Sequence, residues 1–273
     1  RLRALINSSR ENLEECFEYR GEVETLLDRA EQRVFQIRKQ ECGDAYTVKD
    51  VLRVTIEDLE KRADSQGELR GLDTGFVDLN EALNGLQAGN LIIIAARPSM
   101  GKTTFAMNIA TQAAMRTGKG VLMFSLEVPR EMLVENMLCS IAKVDAHKLR
   151  KGRVDPEEWR RLLDAANDLS AANILIDDTP GLSAGALRAK ARRIAGQHDI
   201  GLIVVDYMQL MTYPDAESRQ HEITMISQSL KTTARQLKIP VVALSQLNRA
   251  ADARDDHVPR MSDLRESGSI EQD

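Results

Sequence analysis

Eight consecutive residues, Ala96-Arg97-Pro98-Ser99-Met100-Gly101-Lys102-Thr103, have the types and order needed to hold a chain of phosphates. They match the P-loop pattern except that Ala96 stands where the first glycine is expected. The physics survives that change. Backbone amides around Gly101 at a helix N-terminus cradle phosphate oxygens, and the helix dipole favours the anion. Lys102 then reaches the β- and γ-phosphates, and the Thr103 hydroxyl holds Mg²⁺. Ser99, Met100, Gly101, Lys102, Thr103 and Thr104 are therefore the expected ATP-binding residues. A Gly-Lys-Thr occurring by accident in a surface turn would lack the apolar run before it and the helical pattern after it.

A P-loop needs a second metal carboxylate at the end of another central strand. Leu202-Ile203-Val204-Val205-Asp206 supplies apolar residues and then an acid, so Asp206 joins Thr103 as an expected metal ligand. Hydrolysis also needs a group that orients or activates water. Glu127 follows the apolar run Val121–Ser125 and would emerge at the same edge. Gln246 follows Val241–Ser245 as a neutral side chain able to sense the γ-phosphate. Singly, Asp206 reads as a strand-end cap and Glu127 as a solvated acid. With the P-loop, they converge on one carboxyl edge, where open α/β sheets bind ligands. Lys102, Glu127 and Gln246 are the expected catalytic residues.

The elements that must position these groups follow from hydrophobic periodicity. Leu91–Ala96, Val121–Ser125, Ile174–Asp177, Leu202–Asp206 and Val241–Ser245 are near-continuous apolar runs, as expected of strands buried on both faces. Between them lie helical patterns at Thr103–Met115, Arg130–Ala142, Glu157–Ala171, Ser183–Gln197 and Arg219–Leu237. The last carries Ile223, Ile226, Leu230, Ala234 and Leu237 on one face, and Asp155-Pro156 caps the helix bearing Trp159. This alternation predicts an α/β domain with a mostly parallel sheet over residues 72–273. Ahead of it, residues 1–43 read as a helical hairpin broken at Gly21, with Gly43 as a stop. Residues 44–71 read as a linker around one amphipathic helix, whose stripe is Val48, Val51, Leu52, Ile56 and Leu59. The polar stretch from Lys61 to Gly71 ends it. That helix needs a partner surface, either in its own domain or on a neighbouring subunit.

Composition closes off other classes. The 273 residues carry a net charge of −5, against coating nucleic acid by bulk positive charge. No apolar run is long enough to cross a bilayer, and no leader pattern opens the chain, so no membrane partner is expected. The 3 cysteines, Cys16, Cys42 and Cys139, form no C-x-x-C pair, which favours a reducing, cytoplasmic compartment over disulfides or zinc. The four histidines lack metal-ligand spacing. Met132 and Met137 are expected in the core. Arg188, Lys190, Arg192 and Arg193 lie opposite Leu187, Ala191 and Ile194 and read as a solvated helix face.

Phe124-Ser125-Leu126-Glu127, Asp206-Tyr207-Met208-Gln209-Leu210, Leu244-Ser245-Gln246-Leu247-Asn248-Arg249 and the closing Ser262–Asp273 resemble the motor domain of the DnaB replicative helicases. Ala96–Thr103 and Phe105-Ala106-Met107-Asn108 fit the same family. The likeness covers residues 72–273, with 1–43 similar to the hairpin ending that family's N-terminal domain and 47–61 to its linker helix. It implies a RecA-like P-loop ATPase using ATP and Mg²⁺. It implies a homohexameric ring that unwinds DNA 5′→3′ at a replication fork, with primase and a helicase loader as partners. By the same likeness Arg249, Arg265, Glu266 and Gly268 belong to loops holding single-stranded DNA. Read without it, residues 248–268 are no basic patch, since acids match their arginines. The family pattern also implies a globular segment ahead of Arg1, and strands and basic finger residues after Asp273. A filamenting recombinase shares the P-loop, but the Ser262–Asp273 motif and the linker helix favour the helicase. A nucleotide-gated scaffold would differ in hydrolysing ATP without stimulation by single-stranded DNA.

Overall fold

The apolar runs become one sheet because parallel strands have no room for a solvated face. The computed structural model describes residues 2–18, 23, 26–27, 29–31, 33, 47–64, 69–214, 216–248 and 259–264. They divide between two compact units, residues 1–68 and 69–273. The helices are α1 (Leu2–Glu18), α2 (Val48–Asp64), α3 (Val77–Leu83), α4 (Lys102–Thr117), α5 (Arg130–Ala142), α6 (Ala146–Arg150), α7 (Pro156–Ala171), α8 (Ala184–Ala195) and α9 (Arg219–Leu237). The strands are β1 (Leu91–Ala96), β2 (Gly120–Ser125), β3 (Ile174–Asp177), β4 (Ile200–Asp206) and β5 (Val241–Gln246).

In the second unit the five strands lie in the order β1-β5-β4-β2-β3, and every pairing is parallel. Alternate residues feed two cores. Leu122, Phe124, Ile203, Val205, Val241 and Ala243 face α8 and α9, packing against Leu187, Ile223, Ile226 and Leu230. Val121, Met123, Leu202, Val204, Val242 and Leu244 face α4 and α5, packing against Met107, Ile109, Leu133 and Met137. With both faces covered, β2 and β4 are buried at every residue. The expected mostly parallel α/β architecture is the one observed.

Several expectations need correction. Met132 is 44% exposed, whereas Met137 is buried; a four-residue step from Leu133 reaches Met137 on one helix face and leaves Met132 outside it. Lys190 is not simply solvated, because its ammonium reaches the Asp177 carboxylate at 2.7 Å and the Thr179 hydroxyl at 2.9 Å. Short α3 and α6 went unpredicted, since one or two turns show no periodicity. The expected Asp155 cap and first-turn Pro156 of α7 are present, and Glu158 completes a capping box, with Asp155 accepting from the Glu158 amide at 2.7 Å.

In the first unit, α1 and the helical residues between 23 and 33 are joined by polar contacts. Arg33 donates to Asn12 at 2.6 Å and pairs with Glu15, and Arg29 reaches Glu15 at 3.0 Å. These two guanidinium groups hold the Glu15 carboxyl below the usual glutamate range. The expected break at Gly21 and stop at Gly43 lie outside the described residues. Helix α2 runs on to Asp64, past the expected linker start at Lys61. Its stripe Val48, Val51, Leu52, Ile56 and Leu59 stays about half or more exposed.

Candidate active site

The phosphate loop folds as its sequence dictates. Ser99 and Gly101 both take left-handed backbone, at φ 65° and 81°. A Cβ on Gly101 would meet nothing within 4 Å, so glycine is required there for conformation and not for space. Gly101 is the N-cap of α4 and no side chain caps that helix. The amides of its first turn have no intrahelical acceptor by geometry and are left for a ligand.

The loop opens onto a cleft of about 430 Å³ lined by Arg97, Pro98, Ser99, Gly101, Lys102, Thr103, Thr104, Glu127, Val128, Tyr207 and Gln246. Sheet order explains the convergence. Strands β1, β5, β4 and β2 are successive neighbours, so the P-loop, Gln246, Asp206 and Glu127 end side by side. A second concavity of about 300 Å³, between α5, α7 and β3, offers Ser170 as its one polar lining side chain. Chemistry therefore belongs to the first.

Asp206 sits at the floor, fully buried. Burial drives its pKa up; the Thr103 hydroxyl and the Lys102 ammonium favour the carboxylate, while Glu127 adds to the rise. Neither carboxylate oxygen finds a partner at hydrogen-bond geometry. Lys102 is the mirror case. Partial burial lowers its pKa, and the charges of Asp206 and Glu127 push back. Its ammonium lies 4.1 Å from the ring centroid of Tyr207, a cation–π contact. Burial, then Glu127 and Asp206, raise the Tyr207 phenol. Two acids against one lysine leave a negative pocket floor beside an anion-binding helix start. That arrangement fits a divalent cation bridging to phosphate: hard cations of this kind use one or two carboxylates plus phosphate oxygens. Among the described residues no cluster of three or more His, Cys, Asp or Glu offers another metal site.

Of the residues expected from sequence, Ser99, Gly101, Lys102, Thr103, Thr104, Glu127 and Gln246 line the cleft and Asp206 underlies it. Met100 does not line it; its side chain is 74% exposed. Arg249, Arg265, Glu266 and Gly268 lie outside the described residues. Sequence reasoning missed three contributors. Arg97 ties the loop to β5 by donating to the Leu247 carbonyl at 2.8 Å. Tyr207 supports Lys102, and an aromatic directly after a strand-end acid was the available signal. Gln209 donates to the Ser245 hydroxyl at 2.8 Å, which only strand register could reveal.

Comparison with known proteins agrees with this geometry. The family described as "DnaB-like helicase C terminal domain" matches residues 71–273. The chain is 42% identical over 275 residues to "Replicative DNA helicase DnaB" of Geobacillus stearothermophilus, covering all of this chain and 61% of that protein. It is 43% identical over 282 residues to the protein of the same name from Haemophilus influenzae, covering all of this chain and 60% of that one. It thus spans about three fifths of the length of these curated relatives. Among solved structures, a DnaB-like replicative helicase described with its primase interactions superposes with a TM-score of 0.82 at 30% identity, covering 99% of this chain and 63% of that one. Among the described residues no helix is long and apolar enough to cross a membrane.

Proposed function

The chain belongs to the DnaB-like helicase family, and from that premise we propose that it drives a replicative DNA helicase. In this proposal a homohexamer hydrolyses ATP, moves 5′→3′ on single-stranded DNA and parts the duplex at the fork. One observation carries the chemistry: a fully buried carboxylate, Asp206, without a hydrogen-bond partner, beside the first turn of the phosphate-loop helix. A group desolvated at such cost persists where a ligand offsets it.

The roles follow from position. The first-turn amides of α4 and Lys102 hold the phosphates, with Ser99, Gly101 and Thr104 around them. Thr103 and Asp206 would hold Mg²⁺, which when bound neutralises charge on the β- and γ-phosphates. Glu127, exposed to the cleft, accepts the proton of the attacking water as that water bonds to the γ-phosphorus. The bond from that phosphorus to the oxygen bridging to the β-phosphate breaks, with ADP as the leaving group. Gln246 closes β5 and meets the γ-phosphate, so it responds to whether that group is present. Arg249, Arg265, Glu266 and Gly268 are proposed to hold the strand through its backbone, giving affinity without base readout. Primase is proposed as a partner because the solved relative is described with one; a helicase loader and a cytoplasmic setting complete the proposal.

The purified protein should displace a forked duplex bearing only a 5′ tail, and only with ATP. ATP hydrolysis without displacement, or displacement from a 3′ tail alone, would overturn the helicase assignment.

Assembly is proposed to run through α2. A stripe of five apolar side chains, each about half or more exposed, is unusual on a solvent-facing helix and marks an interaction surface. Changing Leu52 and Ile56 together to Asp places charge in that surface. The expected result is a shift from large assemblies to smaller species with helix content unchanged, read by light scattering after size exclusion and by circular dichroism. Unaltered assembly would take the stripe out of the interface.

A further inference from the structure

The pairing of β4 with β5 stops at Val205↔Ala243. On the other side β5 stays paired with β1 as far as Ala96↔Gln246. Leu244, Ser245 and Gln246 thus run past the register of β4 on one side, and Gln246 is the residue that meets the cleft. The β4 backbone cannot continue the ladder. The Asp206 carbonyl is taken by the Leu126 amide on the β2 side at 2.7 Å, and the chain then turns into the 3-10 helix Met208–Leu210.

The Gln209 side chain stands in for the missing strand. Its amide nitrogen donates to the Ser245 hydroxyl at 2.8 Å and to the Gln246 carbonyl at 3.3 Å. Its amide oxygen accepts from the Gln246 N–H at 3.3 Å. A carboxamide offers one acceptor and two donors, the same complement a backbone peptide presents with a donor to spare. Gln209 is itself held from behind. Its carbonyl accepts from the Arg219 guanidinium, which also pairs with Glu222. Glu222 in turn accepts from the Tyr213 amide at 2.9 Å. The neighbouring Met208 is fully buried, so the turn has little freedom to drift.

We infer that Gln209 is a positioning residue for hydrolysis: its carboxamide fixes the end of β5, and with it the place where Gln246 meets the γ-phosphate. This rests on the ATPase assignment made for the cleft. Gln209 touches no reacting atom in this scheme and acts only through Gln246. Misplacing a group that must meet a transition state costs rate more than affinity.

The test is steady-state ATP turnover by Gln209→Met, which keeps length and bulk and removes every hydrogen bond of the side chain. The expected result is a kcat lower by about tenfold, or about 1.4 kcal/mol of barrier, with nucleotide KM nearly unchanged. In a Gln246→Ala background the same change should add nothing, because the group it positions is gone. If Gln209→Met does not fold, Gln209→Glu serves, since a carboxylate cannot donate to the Gln246 carbonyl; kcat should again fall with KM held. Normal kcat in the folded variant overturns the inference, as does an equal loss in the Gln246→Ala background. If Gln246→Ala turns over normally while Lys102→Ala does not, the inference fails and the phosphate site stands. Normal turnover by Lys102→Ala would remove the site itself.

Discussion

Replacing Lys102 with Ala lowers ATP turnover by roughly 10²–10³-fold, the cost of removing one preorganised donor from developing negative charge. The fold persists, because the side chain reaches into the cleft and neither apolar core includes it. Its partly buried ammonium feels the negative charge of Asp206 and Glu127. Removing it therefore leaves the floor more negative and weakens phosphate binding as well as catalysis. Turnover by a coupled assay and a melting curve separate these effects. A variant that melts like the parent and turns over at a near-normal rate would refute the P-loop assignment.

Asp206→Asn should move activity and stability in opposite directions. Activity falls steeply, because the amide cannot replace a carboxylate toward Mg²⁺. Stability of the nucleotide-free chain should rise, because a buried carboxylate without a partner is costly and a neutral amide less so. A gain of about 1 kcal/mol would lift the melting midpoint by about 2–4 °C. The sign with pH follows from the raised folded value. The folded state binds the proton more tightly, so the parent loses stability as pH climbs above the ordinary aspartate value of 3.8. The advantage of Asn thus grows as pH rises above that value and vanishes in acid. Adding Mg²⁺ and ATP should raise the parent's midpoint and leave the variant nearly unmoved. A variant that melts below the parent at neutral pH would mean that Asp206 is satisfied in the folded chain.

The sheet was legible because its chemistry is local. Strands buried on both faces need unbroken apolar runs, so β1 and β3 fell where their sequences said, as did α5 and α9. Lys102, Thr103, Glu127, Asp206 and Gln246 were legible for a related reason, since each follows such a run. Gln209 was not. Its role depends on where β4 stops relative to β5, a register that periodicity along either strand leaves free. Met100 sends its side chain to solvent. A sequence pattern names positions and not side-chain directions, and a phosphate-loop residue meets its ligand through the backbone amide.

The order of the strands has a consequence for synthesis. β5 lies between β1 and β4, and the groups that join it to the phosphate loop, Arg97 and Leu247, are 150 residues apart along the chain. Closing a segment of that length is slow and comes after the local pairings. While the ribosome has made only β1 to β4, the phosphate loop is already complete in sequence but has no neighbour to seat it. Gln246 does not yet exist. A chain that has not yet added β5 lacks both Gln246 and the Leu247 carbonyl to which Arg97 donates, so its phosphate loop is expected to be seated only when β5 enters the gap between β1 and β4.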